Sequence, residues 1–143
     1  MNDLQLSNAA VSGQVRIWLR AEGFAVLALS LLLYRASGPS WWVFLALFLA
    51  PDIVMLFYLI NPKVGGFSYN VVHSYLLPLG LAALAVFLHE SGMLACLYIW
   101  TAHIGLDRFL GYGLKYPVAF GKTHLGDLAR SPVKPSAPGV LQR

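Results

Sequence analysis

Four stretches of about twenty mostly apolar residues, separated by short runs of turn-formers, constrain this chain more than any other feature. They run from about Val15 to Tyr34, Trp41 to Ile60, Tyr69 to Leu88 and Met93 to Leu110. A helix needs about 20 apolar residues to cross ~30 Å of hydrocarbon. The separators are Ser37-Gly38-Pro39-Ser40, Asn61-Pro62-Lys63-Val64-Gly65-Gly66 and Glu90-Ser91-Gly92, all rich in helix breakers. Links this short favour antiparallel neighbours. The expectation is an all-α, multi-pass membrane protein, an up-down bundle of four transmembrane helices. Only 11 % of the 143 residues are charged, against roughly 25 % in soluble domains.

The basic residues orient the bundle. With both termini in the cytoplasm, Arg16, Arg20, Lys63, Arg108, Lys115, Lys122, Arg130, Lys134 and Arg143 lie inside and Arg35 alone lies outside. That asymmetry follows the positive-inside rule and fits a plasma-membrane protein with both termini cytoplasmic. Trp41 and Trp42, with Tyr34 opposite, read as an interfacial aromatic belt. The net charge of +4 flanks apolar segments rather than forming a stripe, which argues for the lipid bilayer as partner and against nucleic acid. A single cysteine, Cys96, excludes an internal disulfide. No phosphate-binding glycine loop and no CxxC pair is present.

Outside the bundle, residues 1–14 form a short cytoplasmic segment. Residues 111–130, a mixture of glycine, aromatics and lysine, suit a strand or loop at headgroup level. The last stretch, 131–143, with three prolines, reads as a disordered tail. The first span loosely imitates a secretory signal, but Glu22 ahead of its apolar core and the long preface argue for retention.

Ionisable side chains inside these spans carry the functional argument, because a charge in hydrocarbon costs about 2.5–3.5 kcal/mol by insertion scales. They are Glu22, Asp52, His73, His103 and Asp107. Consecutive spans run in opposite directions, so Glu22 early in the first, Asp52 late in the second, His73 opening the third and His103 and Asp107 closing the fourth share one depth. At 1.5 Å per residue all five fall within roughly 12 Å of the cytoplasmic boundary. His103 and Asp107 are i,i+4 and share a helix face, as do Asn70 and His73 at i,i+3. Arg16 and Arg20 share another stripe, free to snorkel to headgroups while Glu22 faces the bundle. Pro51 removes a backbone donor next to Asp52 and predicts a bend there.

Two imidazoles with two or three carboxylates form a ligand set suited to a divalent metal, Zn, Mn or Fe. Asp52, His73, His103 and Asp107 are the candidate ligands. Glu22 is a candidate general base or fifth ligand, and Arg108 a candidate catalytic anion clamp. Tyr69, Asn70, Lys115 and His124 complete the polar candidates. Singly, three of the four have a plainer reading: Asp107 an interfacial pair with Arg108, His73 a hydrated boundary histidine, Asp52 a protonated acid bonded across helices or a cap after Pro51; His103, deeper and beside Trp100, has none. Their coincidence in depth favours a shared site.

The string HIGLDRFLGYGLKYPVAFGKTHLG from His103, with EGF at Glu22, PDIVMLFYLINPKVGG from Pro51 and YNVVHSY from Tyr69, resembles the small four-helix bacterial membrane proteins of domain-of-unknown-function family 4260. The likeness covers residues 15–128 and implies the bundle, with no activity attached. A second pattern, Pro51-Asp52, His73-Ser74 and His103 with Asp107, resembles membrane-bound metal-dependent hydrolases. It departs from them at Met55, where they carry a second aspartate, and at Glu22, where they carry a histidine. Three functions follow: metal-dependent hydrolysis of a lipid or amphiphilic substrate, proton- or ion-coupled transport, or a structural subunit, with a homo-oligomer open in each.

Overall fold

The computed structural model describes Val11, residues 13–116 and residues 122–127. The 131–143 tail and most of the 1–14 segment lie outside the described residues. The helices are α1 Gly13–Ser37, α2 Trp41–Phe48, a 3₁₀ helix Ala50–Leu59, α3 Pro62–Val72, α4 Leu76–Phe87 and α5 Ser91–Leu110. A small antiparallel hairpin follows, β1 Lys122–Thr123 with β2 Gly126–Asp127. Three stretches are long and apolar enough to cross a membrane: Gly13–Ser37, Trp41–Leu59 and Pro62–Phe87. Leu59 and Leu76 are both 85 % exposed and Phe87 79 %, surfaces that need lipid rather than water around them.

The last helix, α5, expected as the fourth span, is not among these three, and it is the hub. It packs along α1 and also touches α2 and α4, and eight of its residues, from Ala95 to Gly105, are buried. Enclosed in this way, it tolerates the polar His103–Arg108 end that a lipid-facing helix would not. The α1–α5 crossing depends on two glycines. A Cβ on Gly23 would lie 2.5 Å from Arg108 Cβ, and one on Gly105 would lie 2.7 Å from the backbone nitrogen of Leu27. Small residues let membrane helices approach this closely, and side-chain hydrogen bonds reinforce the contact. Ser30 Oγ and Thr101 Oγ1 supply one at 2.9 Å, two turns further along.

Tyr34 is wholly buried, its hydroxyl donating to Ser40 O at 2.7 Å and its ring against Trp41 and Phe44. It is therefore a core residue rather than part of an interfacial belt, because the α1–α2 turn folds Trp41 back over it. Trp42 remains exposed.

The second and third spans are broken where the sequence places Asp52 and His73. Leu49 closes α2 and the chain continues as a 10-residue 3₁₀ helix with Pro51 near its start. Runs of 3₁₀ longer than three or four residues are uncommon and mark functional or strained segments. The expected loop at residues 61–66 is instead the start of α3. Asn61 caps it by accepting from Val64 N at 2.9 Å, and Pro62 occupies the first turn. The Asn-Pro pair that reads as a breaker is thus a helix-start signal. Gly65, in the same stretch, lets the helix seat against the Tyr58 ring. His73 accordingly closes the 11-residue α3 instead of opening a span, about 16 Å along from Pro62 at 1.5 Å per residue.

Candidate metal centre

Asp52, His73, His103 and Asp107 converge. His73 Nε2 lies 3.2 Å from His103 Nε2, 3.3 Å from Asp52 Oδ1 and 3.7 Å from Asp107 Oδ2. His103 Nε2 lies 3.5 Å from Asp52 Oδ1 and 3.9 Å from Asp107 Oδ2. Ligand atoms around a tetrahedral metal at 2.0–2.2 Å are separated by about 3.3–3.6 Å, so Asp52, His73 and His103, at 3.2–3.5 Å from one another, have the spacing of three ligands of such a shell, and Asp107 stands slightly farther from both imidazoles. Asp52, His73 and His103 each offer a ligand atom within 4.8 Å of the others, and this group could hold a metal ion. His73 and His103 are buried at 1 % and 3 % exposure, while Asp52 at 38 % is the open side of the cluster.

Each side chain is set by its surroundings. His73 Nδ1 lies 3.1 Å from the Tyr69 carbonyl, one helical turn back. A carbonyl only accepts, so Nδ1 carries the proton and the Nε2 lone pair faces the cluster, the arrangement typical of a metal-ligating histidine. The Tyr69 ring stacks on the His73 ring at 3.8 Å and 11°, and its hydroxyl donates to Asp107 Oδ2 at 3.1 Å. Tyr69 thus orients one imidazole and one carboxylate together. The Phe48 ring sits edge-on to His103 at 5.4 Å. His103 Nδ1 is buried without a hydrogen-bond partner among the described residues.

A cavity of ≈ 410 Å³ opens on the cluster, walled by Asp52, Asp107, Met55, Tyr69, Tyr112, Lys115 and Thr123. Asn70 fixes its rim by accepting from Lys115 N at 2.7 Å and donating to Lys115 O at 2.8 Å. The Lys115 ammonium lies 4.1 Å from the Tyr69 ring centroid and 5.1 Å from that of Tyr58. Burial lowers its pKa to about 8, with Asp107 and Asp52 working in the opposite direction, so it remains a cation at neutral pH.

The other candidates lie elsewhere. Glu22 is exposed and, with Gly23, Tyr75, Arg108 and His124, lines a separate cavity of ≈ 200 Å³. The reason is helical phase: Gly23, Ser30 and Tyr34 form the buried stripe of α1, and Glu22 is one residue off it. Arg108 donates to His73 O at 3.0 Å and to Tyr112 O at 3.1 Å. It holds the broken end of α3 in place and is a positioning residue. Arg20, expected at the headgroups, donates through Nε to Phe109 O at 2.7 Å, at the end of α5. His124 Nδ1 accepts from Leu114 N at 2.9 Å. Burial, then the Arg108 charge, lowers its pKa, which keeps the ring in the neutral form such an acceptor requires.

The family model described as "Domain of unknown function (DUF4260)" matches residues 16–128. The chain belongs to the DUF4260 family. No curated protein and no solved structure matches it. All four clustered residues of this DUF4260 chain fall inside the matched region. Tyr58, Tyr112 and Thr123 near the cluster escaped the sequence reading. Tyr58 and Tyr112 look like ordinary interfacial aromatics, and Thr123 arrives through a hairpin with no periodicity to announce it.

Proposed function

We propose that the chain is a plasma-membrane protein with cytoplasmic termini whose Asp52–His73–His103–Asp107 cluster binds one divalent metal and hydrolyses a membrane-associated substrate. The observation that carries the reading is the match between the 3.2–3.5 Å separations of the Asp52, His73 and His103 ligating atoms and the spacing of neighbouring ligands around a metal, with Asp107 at 3.7 and 3.9 Å from the two imidazoles as the fourth candidate. The donor set agrees. Two carboxylates with two neutral imidazoles carry a formal charge of −2, which a divalent ion cancels, and the gain is largest for Asp107, the less exposed of the two. Zinc, manganese or iron in this shell supplies Lewis acidity.

The chain's own residues do the rest. Tyr69 holds Asp107 and the His73 tautomer, and Arg108 fixes the backbone at His73. Asp52, the most open ligand, borders the space a substrate enters, and Lys115 offers a positive charge to an anionic group there.

Elemental analysis of detergent-purified protein tests the reading, followed by turnover of p-nitrophenyl phosphate and p-nitrophenyl acetate. Close to one metal per chain is expected, lost in His103→Ala, with hydrolysis abolished by a chelator and restored by zinc or manganese. Metal-free wild-type protein that conducts ions in liposomes, with flux lost in Asp52→Asn, overturns it in favour of transport.

A further inference from the structure

A second cavity, of ≈ 300 Å³, lies against the first and is lined by Leu47, Ala50, Pro51, Val54, Val72, Cys96, Ile99 and Trp100. Its walls are apolar, and the one donor of Trp100 is satisfied by Val72 O at 2.9 Å. The two cavities share a partition. In a 3₁₀ helix residues i and i+3 eclipse one another. Pro51 and Val54 therefore stack on the face toward the apolar cavity, and Asp52 and Met55 stack on the next face, toward the polar one. The same step recurs on the neighbouring elements, at Val72 and His73 and between Trp100 and His103.

Resting on the metal-centre reading, we infer that the substrate is a single-chain anionic amphiphile, its headgroup against the cluster and Lys115 and its alkyl chain in the groove between the 3₁₀ helix and α5. Charge complementarity selects the head. Lys115 lines the polar cavity beside Asp52 and Asp107, and a divalent ion held there would offset the two carboxylates, so the lining favours an anionic head. Depth selects the chain. The cluster lies about 10–16 Å in from the ends of α5 and α3 at 1.5 Å per residue, below headgroup level. A lipid reaches that depth only if its tail can remain in an apolar channel beside the site. The open flank of the groove, where Cys96 is exposed and Leu47 is 40 % exposed, provides one. Volume sets the number of chains. A methylene fills about the ~30 Å³ that liquid water allots to a molecule, so the groove takes roughly ten carbons, one alkyl chain.

The test uses metal-loaded protein in phosphatidylcholine nanodiscs and dodecyl phosphate bearing a diazirine on its terminal carbon. After photolysis, peptide mapping is expected to find labels on residues 47–54 and 96–100, about tenfold enriched over the same probe with a neutral hydroxyl head. Excess unlabelled dodecyl phosphate removes that labelling, and millimolar inorganic phosphate weakens it if the head alone is recognised in the cavity. Ala50→Trp or Cys96→Phe, which fill the groove, should abolish the enrichment while retaining metal, which also reports that they fold. Labels spread over lipid-facing positions such as Leu32 and Val86, equal for both probes, in protein that still holds metal, overturn the groove and leave the metal centre standing. Wild-type protein without metal overturns both.

Discussion

Removing one oxygen, by Tyr69→Phe, tests how the centre is held. The ring stays, so its stacking on His73 and its contact with the Lys115 ammonium persist; only the 3.1 Å hydrogen bond to Asp107 Oδ2 is lost. A hydrogen bond to a charged acceptor contributes about 1.5–3 kcal/mol, and each 1.4 kcal/mol is a factor of ten. Metal affinity should therefore fall about 10- to 100-fold, which is also the usual cost of deleting a group that orients a metal ligand. Zinc titration against a fluorescent chelator measures the loss, with circular dichroism to verify that helix content is unchanged. A variant that folds normally and binds zinc within threefold of wild type refutes the idea that Tyr69 orients a coordinating Asp107.

Two glycines make an opposed pair. Gly105→Ala drives a methyl to 2.7 Å from the Leu27 backbone and should destabilise the bundle by about 1–3 kcal/mol. Gly80→Ala, within α4 with nothing inside 4 Å of the new methyl, should be neutral or stabilising by up to ~1 kcal/mol. Thermal unfolding in detergent reads both, and similar shifts for the pair would contradict the crossing. Asn70→Ala removes both hydrogen bonds that fix the Lys115 backbone. Dodecyl phosphate should bind at least fivefold more weakly while metal stoichiometry holds; simultaneous loss of metal would show that Asn70 supports the cluster itself. Lys115→Gln should lower affinity for dodecyl phosphate and leave dodecanol binding unchanged, and an equal effect on both would remove Lys115 from headgroup recognition.

What the sequence disclosed follows from how each signal is encoded. Apolar runs depend only on composition, so the helices were legible; Asp52, His73, His103 and Asp107 do meet, but His73 reaches the cluster from the end of α3 rather than from the start of a span. Glu22 shows the limit of depth arguments. Depth is common to a whole helical turn, but facing is set by phase, and Gly23 rather than Glu22 occupies the inward stripe. The 3₁₀ segment and the break after Val72 were harder still. Pro51 forecasts a bend but not ten residues of altered winding, and Asn61-Pro62 both terminates one element and caps the next. The link from Asn70 to the Lys115 backbone spans 45 positions with no pattern to mark it.

X-ray absorption at the zinc edge, on purified protein loaded with one equivalent of zinc, addresses the centre most directly. The account predicts about four nearest neighbours at about 2.0–2.2 Å, two of them imidazole nitrogens and the rest oxygens from carboxylate and an exchangeable water, with one imidazole lost in His73→Ala. A protein that retains no zinc after gel filtration, or a shell unchanged in His73→Ala, would contradict it.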